Sequence, residues 1–241
     1  MRFALSLIAL ACVRHVPEAS PGPEAAIRGV VKGKMRVEAP NQAASAPITI
    51  VLDRPDRSSL AVLGPLGGPL WTMTTVGSTL SVLDVRGRQQ HLAIDAGQVL
   101  GDVLGVDAPT LWGILVGDPV VLPPEGLPGP VPGTRLSDLP LVSGRSLRIL
   151  AEVPSGRPVH ILALDVSGTP RASVHYGPFV AYGNVALPST VDVEVHELNL
   201  TVRLEFTGFN DTDPLPDVFS LVPPPGFTTS PLTDLGAVIP R

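Results

Sequence analysis

The side chains from which reactive chemistry could be built are few: five histidines and one cysteine in 241 residues. His160, His175 and His196 fall on three separate segments of alternating polarity. Three imidazoles converging from different strands could hold a metal. Metal sites, however, usually announce themselves by close ligand spacing such as His-Glu-x-x-His or Cys-x-x-Cys, and neither occurs here. Each histidine stands beside the apolar alternation rather than in it, so solvated strand faces account for all three. Glu194 and His196 share a face opposite a row of valines, which reads as the wet side of a sheet. The chain also lacks a Gly-x-Ser-x-Gly nucleophile turn and a phosphate-binding loop with its lysine. Tyr176, Phe179 and Tyr182 gather near Gly177 and Gly183, where burial of aromatic surface explains them better than a substrate platform. No catalytic residue, metal or cofactor is expected, and the chain does not read as an enzyme.

The cysteine points elsewhere. Arg2 gives the N-terminus a positive charge, Phe3 to Leu10 follow as an apolar run, and Ala11 is a small residue directly before Cys12. This pattern marks a targeting segment, set apart from the fold. The stretch Ile8-Ala9-Leu10-Ala11-Cys12 resembles the lipobox of bacterial lipoproteins, although alanine stands where leucine is favoured and the leader is short. That resemblance implies cleavage after residue 11 and acylation of Cys12. An ordinary signal peptide that happens to end in cysteine is the other reading. As the single cysteine, Cys12 leaves no internal disulfide. Residues 12–26 are polar and proline-bearing and read as a tether between membrane and domain.

Composition narrows the rest. Hydrophobic residues make up 44% and charged residues 16%, so a substantial core is available. Twenty-eight prolines and 24 glycines suit many turns and strand ends rather than long helices. A net charge of −5 speaks against a nucleic-acid partner, which would call for a basic patch.

From Ile27 the polarity alternates. Val31, Gly33, Met35 and Val37 face one way, and Lys32, Lys34, Arg36 and Glu38 the other, as in a half-exposed antiparallel strand. Further strands are expected at Ile48–Leu52, Leu60–Leu63, Pro69–Val76, Thr79–Val85 and Gln89–Ile94. After a break they resume at Ser146–Val153, Pro158–Val166, Arg171–Tyr176, Phe179–Tyr182, Val191–Val195, Leu198–Phe206 and Phe219–Val222. The inward phase flips after Glu197, which places a turn or bulge at His196–Asn199. Strand spacing of roughly ten residues suits a sandwich or barrel.

Two short helices interrupt the strands. Asp95 can cap the first, which carries Val99, Leu100, Val103 and Leu104 on one face. Asp107 can cap the second, with Pro109 in its first turn, Leu111, Trp112, Leu115 and Val116 as apolar residues, and Gly117 as the stop. Segment 95–117 reads as a lid over an open apolar face. Gly97, Gly101 and Gly105 form a row along the first helix, each costing about 1 kcal/mol relative to alanine. Close packing on the sheet and deliberate weakness are both readings of that row. Residues 118–144 hold six prolines between Pro119 and Pro132, so a long surface connection within one domain is preferred to a linker.

Taken in order, the "GPLGG" turn, the helical pair ending "LWGILVGDP", "RASVHYGPFVAYGNVALPSTVDVEV", "LEFTGFNDTDPLP" and "DVFSLVPPPG" are similar to the LolA and LolB superfamily of periplasmic lipoprotein carriers and receptors. The resemblance spans residues 27–226 and implies a mainly β fold: a single unclosed antiparallel half-barrel of about 11 strands with a short helical lid. It implies acyl chains of lipids or lipoproteins as cargo. Leu100, Leu104, Leu111 and Trp112 on the apolar faces of the helices, and Leu200 and Val202 in the inward phase of their strand, are the residues expected to line the cavity. A lipid-anchored member looks like LolB, at the bacterial outer membrane and facing the periplasm. In LolB a leucine in a Pro-Leu-Gly loop after the third strand helps deliver cargo to the membrane, and Leu66 in Pro65-Leu66-Gly67 matches it. An ordinary exposed loop leucine is the alternative for Leu66. For the whole chain, the alternative is a structural or scaffolding lipoprotein whose half-barrel binds an envelope protein partner. Residues 227–241 are expected to be a loosely held tail.

Overall fold

The computed structural model describes residues 27–53, 56–103, 106, 108–119, 126–141, 144–183 and 185–233. The leader, Cys12, the tether, Leu104, Gly105 and Asp107 lie outside the described residues.

Six antiparallel strands open the fold: β1 (Arg28–Ala39), β2 (Gln42–Asp53), β3 (Arg57–Leu63), β4 (Pro69–Val76), β5 (Thr79–Asp84) and β6 (Gln89–Ala93). Two helices follow, α1 (Ala96–Val103) and α2 (Ala108–Val116). The second half begins with β7 (Leu127–Pro128), β8 (Thr134–Pro140), β9 (Ser146–Glu152), β10 (Pro158–Leu164) and β11 (Pro170–Tyr176). It continues through β12 (Phe179–Tyr182), β13 (Val185–Pro188), β14 (Thr190–Val195) and β15 (Leu200–Asn210), and ends in β16 (Thr228–Pro231). Fourteen strands form one sheet in the order β16-β6-β5-β4-β3-β2-β1-β15-β14-β11-β10-β9-β8-β7, while β12 and β13 make a separate hairpin. The first and last strands of that order do not pair, so the sheet is an unclosed half-barrel. The seam between halves is β1 on β15, each strand long enough to pair along most of its length.

That seam depends on one glycine. The register slips between Lys32 and Gly33, and a Cβ on Gly33 would stand 2.4 Å from the Glu205 carbonyl oxygen. Only glycine lets the bulged strand approach its partner this closely.

The alternation read from the sequence sorts the two faces. Val31, Ile50, Leu60, Val82, Leu204, Val191 and Ile161 point to the inner face and join α1 and α2 in one core. The predicted phase flip is a 3₁₀ turn at His196–Leu198, closed by Asn199 in the left-handed region at φ 46°.

The structure departs from the sequence-based expectation in three places. The proline-rich segment 118–144 holds two strands: β7 is too short to need many N–H donors, and the residues of β8 before Pro140 supply them. Strand Phe219–Val222 does not form. Pro214, Pro216 and Pro223 to Pro225 flank it, and a 3₁₀ turn at Pro216–Phe219 instead buries Phe219. This strap crosses β3 and β4, with the Arg57 guanidinium 4.8 Å from the Phe219 ring centroid. Finally, the described start of the tail is fastened: β16 runs parallel to β6, and Leu232 is buried, while residues 234–241 lie outside the described residues. Gln90 organises that edge. Its amide donates to Ser81 Oγ (2.9 Å) and the Leu221 carbonyl (2.7 Å) and accepts from Thr229 Oγ1 (3.0 Å). A buried amide so completely paired favours one register.

Candidate functional site

The helices close one end of the inner face. The Ala96 N–H donates to the Ser78 carbonyl at 2.7 Å, where β4 turns into β5. From α2, the indole Nε1–H of Trp112 donates to Thr75 Oγ1 on β4 at 2.7 Å. From the opposite arm, Tyr176 on β11 donates its hydroxyl to the Ile114 carbonyl at 2.8 Å. Burial pushes the Tyr176 phenol far above its ordinary pKa, so it stays a donor at any physiological pH. Helix α2 is thus pinned to both arms of the half-barrel. It stops at Gly117 (φ 69°), whose N–H donates to Ile114 while Asp118 N–H reaches back to Gly113. These two bonds form a Schellman closure. A Cβ on Gly117 would press at 3.0 Å on Phe179, so the β12–β13 hairpin abuts this stop.

The other end is less covered. The strand registers bring the turns at 40–41, 64–68, 85–88 and 165–169 to one rim, opposite Ser78. Toward this rim the inner-face residues Met35, Val37, Val62, Trp71, Val193, Leu200 and Val202 are all half-buried rather than buried. None carries a charge. Asp84, opposite Trp71 in register, is held within its own turn by the Gly87 N–H at 3.0 Å. On the rim itself Leu66 is 100% exposed, and Val166 and Leu198 are also exposed. Helices at one end and a bare apolar floor at the other make a trough.

The residues proposed from sequence divide between these regions. Leu100, Leu111 and Trp112 are buried in the helix-capped end, with Trp112 only 1% exposed. Leu200 and Val202 lie on the floor toward the rim. Leu104 lies outside the described residues. Met35, Val62, Trp71 and Val193 complete the floor. Their alternation was readable, but not which strand end the helices leave bare. Among the described residues, a Cβ on Gly97 would meet Asp95 Oδ1, at 3.1 Å, rather than the sheet.

The outer face is polar. His160 and His175 stack with ring centroids 3.9 Å apart, and Arg203 grips Asp192 with two bonds of 2.6 and 2.9 Å. A 260 Å³ cleft there is lined by Arg36, Glu38, His175, Asp192, Glu194, Thr201 and Arg203. A second cleft of 450 Å³ lies between the turns at 131–134 and 152–155. The first is lined mainly by charged and polar side chains, whereas Val131, Pro132, Val153, Pro154 and Val159 give the second a largely apolar wall. Among the described residues no cluster of three or more His, Cys, Asp or Glu could hold a metal ion.

No family model and no curated protein matches the chain. Solved structures do. A LolA superfamily protein from Nitrosomonas europaea superposes with TM-score 0.57 at 14% identity, covering 81% of this chain and 91% of that one. A candidate outer membrane lipoprotein-sorting protein domain from Vibrio parahaemolyticus gives 0.54 at 9% identity, over 79% and 88%. The chain has a LolA/LolB-like fold. A DUF1329 family protein from Desulfovibrio piger superposes similarly, with TM-score 0.53 at 8% identity over 80% and 89%. At these identities the LolA/LolB likeness concerns architecture. In this LolA/LolB-like fold the helical pair fills the half-barrel from one end, and the Leu66 turn projects at the other.

Proposed function

We propose that this protein binds the acyl chains of lipids or lipoproteins along the trough and passes them to or from a membrane of the bacterial envelope. One observation carries the reading: a half-exposed apolar floor, with the Asp84 carboxylate at its edge beside Trp71, opens on the rim that bears Leu66. Burying an acyl chain stabilises the complex by about 0.8 kcal/mol per methylene, so a dozen give on the order of 10 kcal/mol before the costs of association. No reactive group is needed, and the chain acts as a carrier or receptor rather than an enzyme. Transfer follows from a difference in affinity between donor, trough and membrane. The lipobox-like junction at Cys12 supports a lipid anchor, and the LolA/LolB-like fold supports an envelope location on the periplasmic side of the outer membrane. Leu66 then meets the bilayer beside the mouth of the trough. Longer chains reach the helix-capped end, where Leu100, Leu111 and Trp112 line the path once α2 lifts.

A second reading, a scaffold for an envelope protein partner, draws on the sheet edge at β8. The two-residue β7 covers only Arg135 and Leu136 of that edge, and Leu127 beside it is exposed.

Native mass spectrometry of the purified full chain, with and without Val202→Glu, tests the carrier reading. Co-purifying lipid in the wild type and its loss in the variant are expected. A lipid-free wild type that also takes up no added phospholipid would leave the scaffold reading.

A further inference from the structure

The trough floor contains one donor with nothing to donate to. Trp71 faces inward on β4, paired in register with Val62 on β3, one ladder step in from the turn that carries Leu66. Its ring packs against the core, and its indole Nε1 is shielded from solvent without a hydrogen-bond partner among the described residues. The other tryptophan behaves as buried indoles usually do: Trp112 donates to Thr75 at 2.7 Å. Asp84, opposite Trp71, has an oxygen committed to the Gly87 N–H. A shielded, unpaired N–H is a standing cost, which a ligand bearing an acceptor removes.

We propose that Trp71 is the polar anchor of the trough, its Nε1–H donating to the ester or amide carbonyl at the head of an acyl chain. This rests on the acyl-chain reading above and adds to it the chemistry at the head of the ligand. A carbonyl fits because it accepts without bringing a donor that the apolar floor would leave unpaired. The position fits as well. With the head at Trp71, beside the rim, the tail runs inward over Val62, Met35 and Val202, and the polar remainder of the lipid stays at the mouth. Trp71 therefore distinguishes acyl esters and amides from plain hydrocarbon.

The test titrates the full chain with methyl laurate and with tridecane, chains of similar length with and without a carbonyl, in wild type and Trp71→Phe. Phenylalanine keeps an aromatic face and removes the donor, and the tridecane arm reports any effect of its smaller ring. Trp71→Phe should weaken methyl laurate about 5- to 10-fold, the worth of one such bond, and leave tridecane nearly unchanged. Infrared spectra with a ¹³C-labelled ester carbonyl give an independent readout in the wild type: the bound C=O stretch should shift to lower frequency, and the shift should vanish in the variant. Equal loss for both ligands, or an unshifted carbonyl in the wild type, overturns the anchor while leaving the trough. Failure of both ligands to bind the wild type overturns the trough reading and the anchor with it.

Discussion

Replacing Thr75 by valine should loosen helix α2 without altering the sheet. Valine matches threonine in shape and keeps the β-branched side chain that a strand favours. The change removes the oxygen that accepts the Trp112 indole N–H at 2.7 Å. Trp112 is 1% exposed, so water cannot replace the lost partner. The cost is that of an orphaned buried donor, about 1–3 kcal/mol. The Thr75 hydroxyl also points at the Ser58 carbonyl, but at 3.5 Å that bond adds little. For a chain of this size each kcal/mol lowers Tm by roughly 2–4 °C, so a drop of about 2–12 °C is expected. Urea titration of Thr75→Val, Trp112→Phe and the double variant isolates the pair. The two losses should be less than additive by about 1 kcal/mol, because the second change removes a donor already orphaned. Hydrogen exchange should quicken at α2 amides more than at central strands. A Thr75→Val protein within 0.3 kcal/mol of wild type, or strictly additive losses, would refute the view that this bond holds the helix to the arm.

Other substitutions probe other parts of the account. Leu66→Asp should leave stability within about 0.5 kcal/mol, since the side chain is wholly exposed, yet slow acyl transfer to vesicles several-fold; unchanged transfer would reduce Leu66 to an ordinary loop residue. His160 lies below the ordinary histidine pKa of 6.5, chiefly because it is buried and secondarily because of His175, with Glu194 opposing. The unfolded chain therefore takes up that proton at higher pH than the folded one, and stability present above 6.5 should fall as pH drops below it. His160→Phe should flatten this slope between about pH 7 and 5 in urea midpoints, and an unaltered slope would assign it to other groups. Cys12→Ser should abolish labelling by a fatty-acid analogue and release the protein from the membrane fraction, whereas a wild type that takes no label would end the lipid-anchor reading.

Much of the fold was legible because alternation has a fixed period of two. Val31 through Glu38 declared an inner and an outer face, and the phase change after Glu197 marked its turn. The helices declared themselves through spacing and the stop at Gly117. Long-range pairings were hidden. Nothing local tells that Thr228 to Pro231 pair with a strand about 140 residues earlier, or that Phe219 anchors a strap rather than a strand. Proline misled in 118–144, where β7 and β8 pair around it. At the site, strand alternation marked Leu200 and Val202 as inward-facing, but the unpaired Trp71 donor depends on what does not reach it. That is a property of packing, not of a motif.

Photo-crosslinking with a fatty acyl chain carrying a diazirine near its end, followed by peptide mapping, tests the central claim most directly. The trough account predicts adducts on inner-face residues of the strands toward the Leu66 rim, at Met35, Val62, Val193 and Val202, suppressed by unlabelled phospholipid. Adducts confined to the outer face around His175 and Arg203, or scattered without competition, would contradict it.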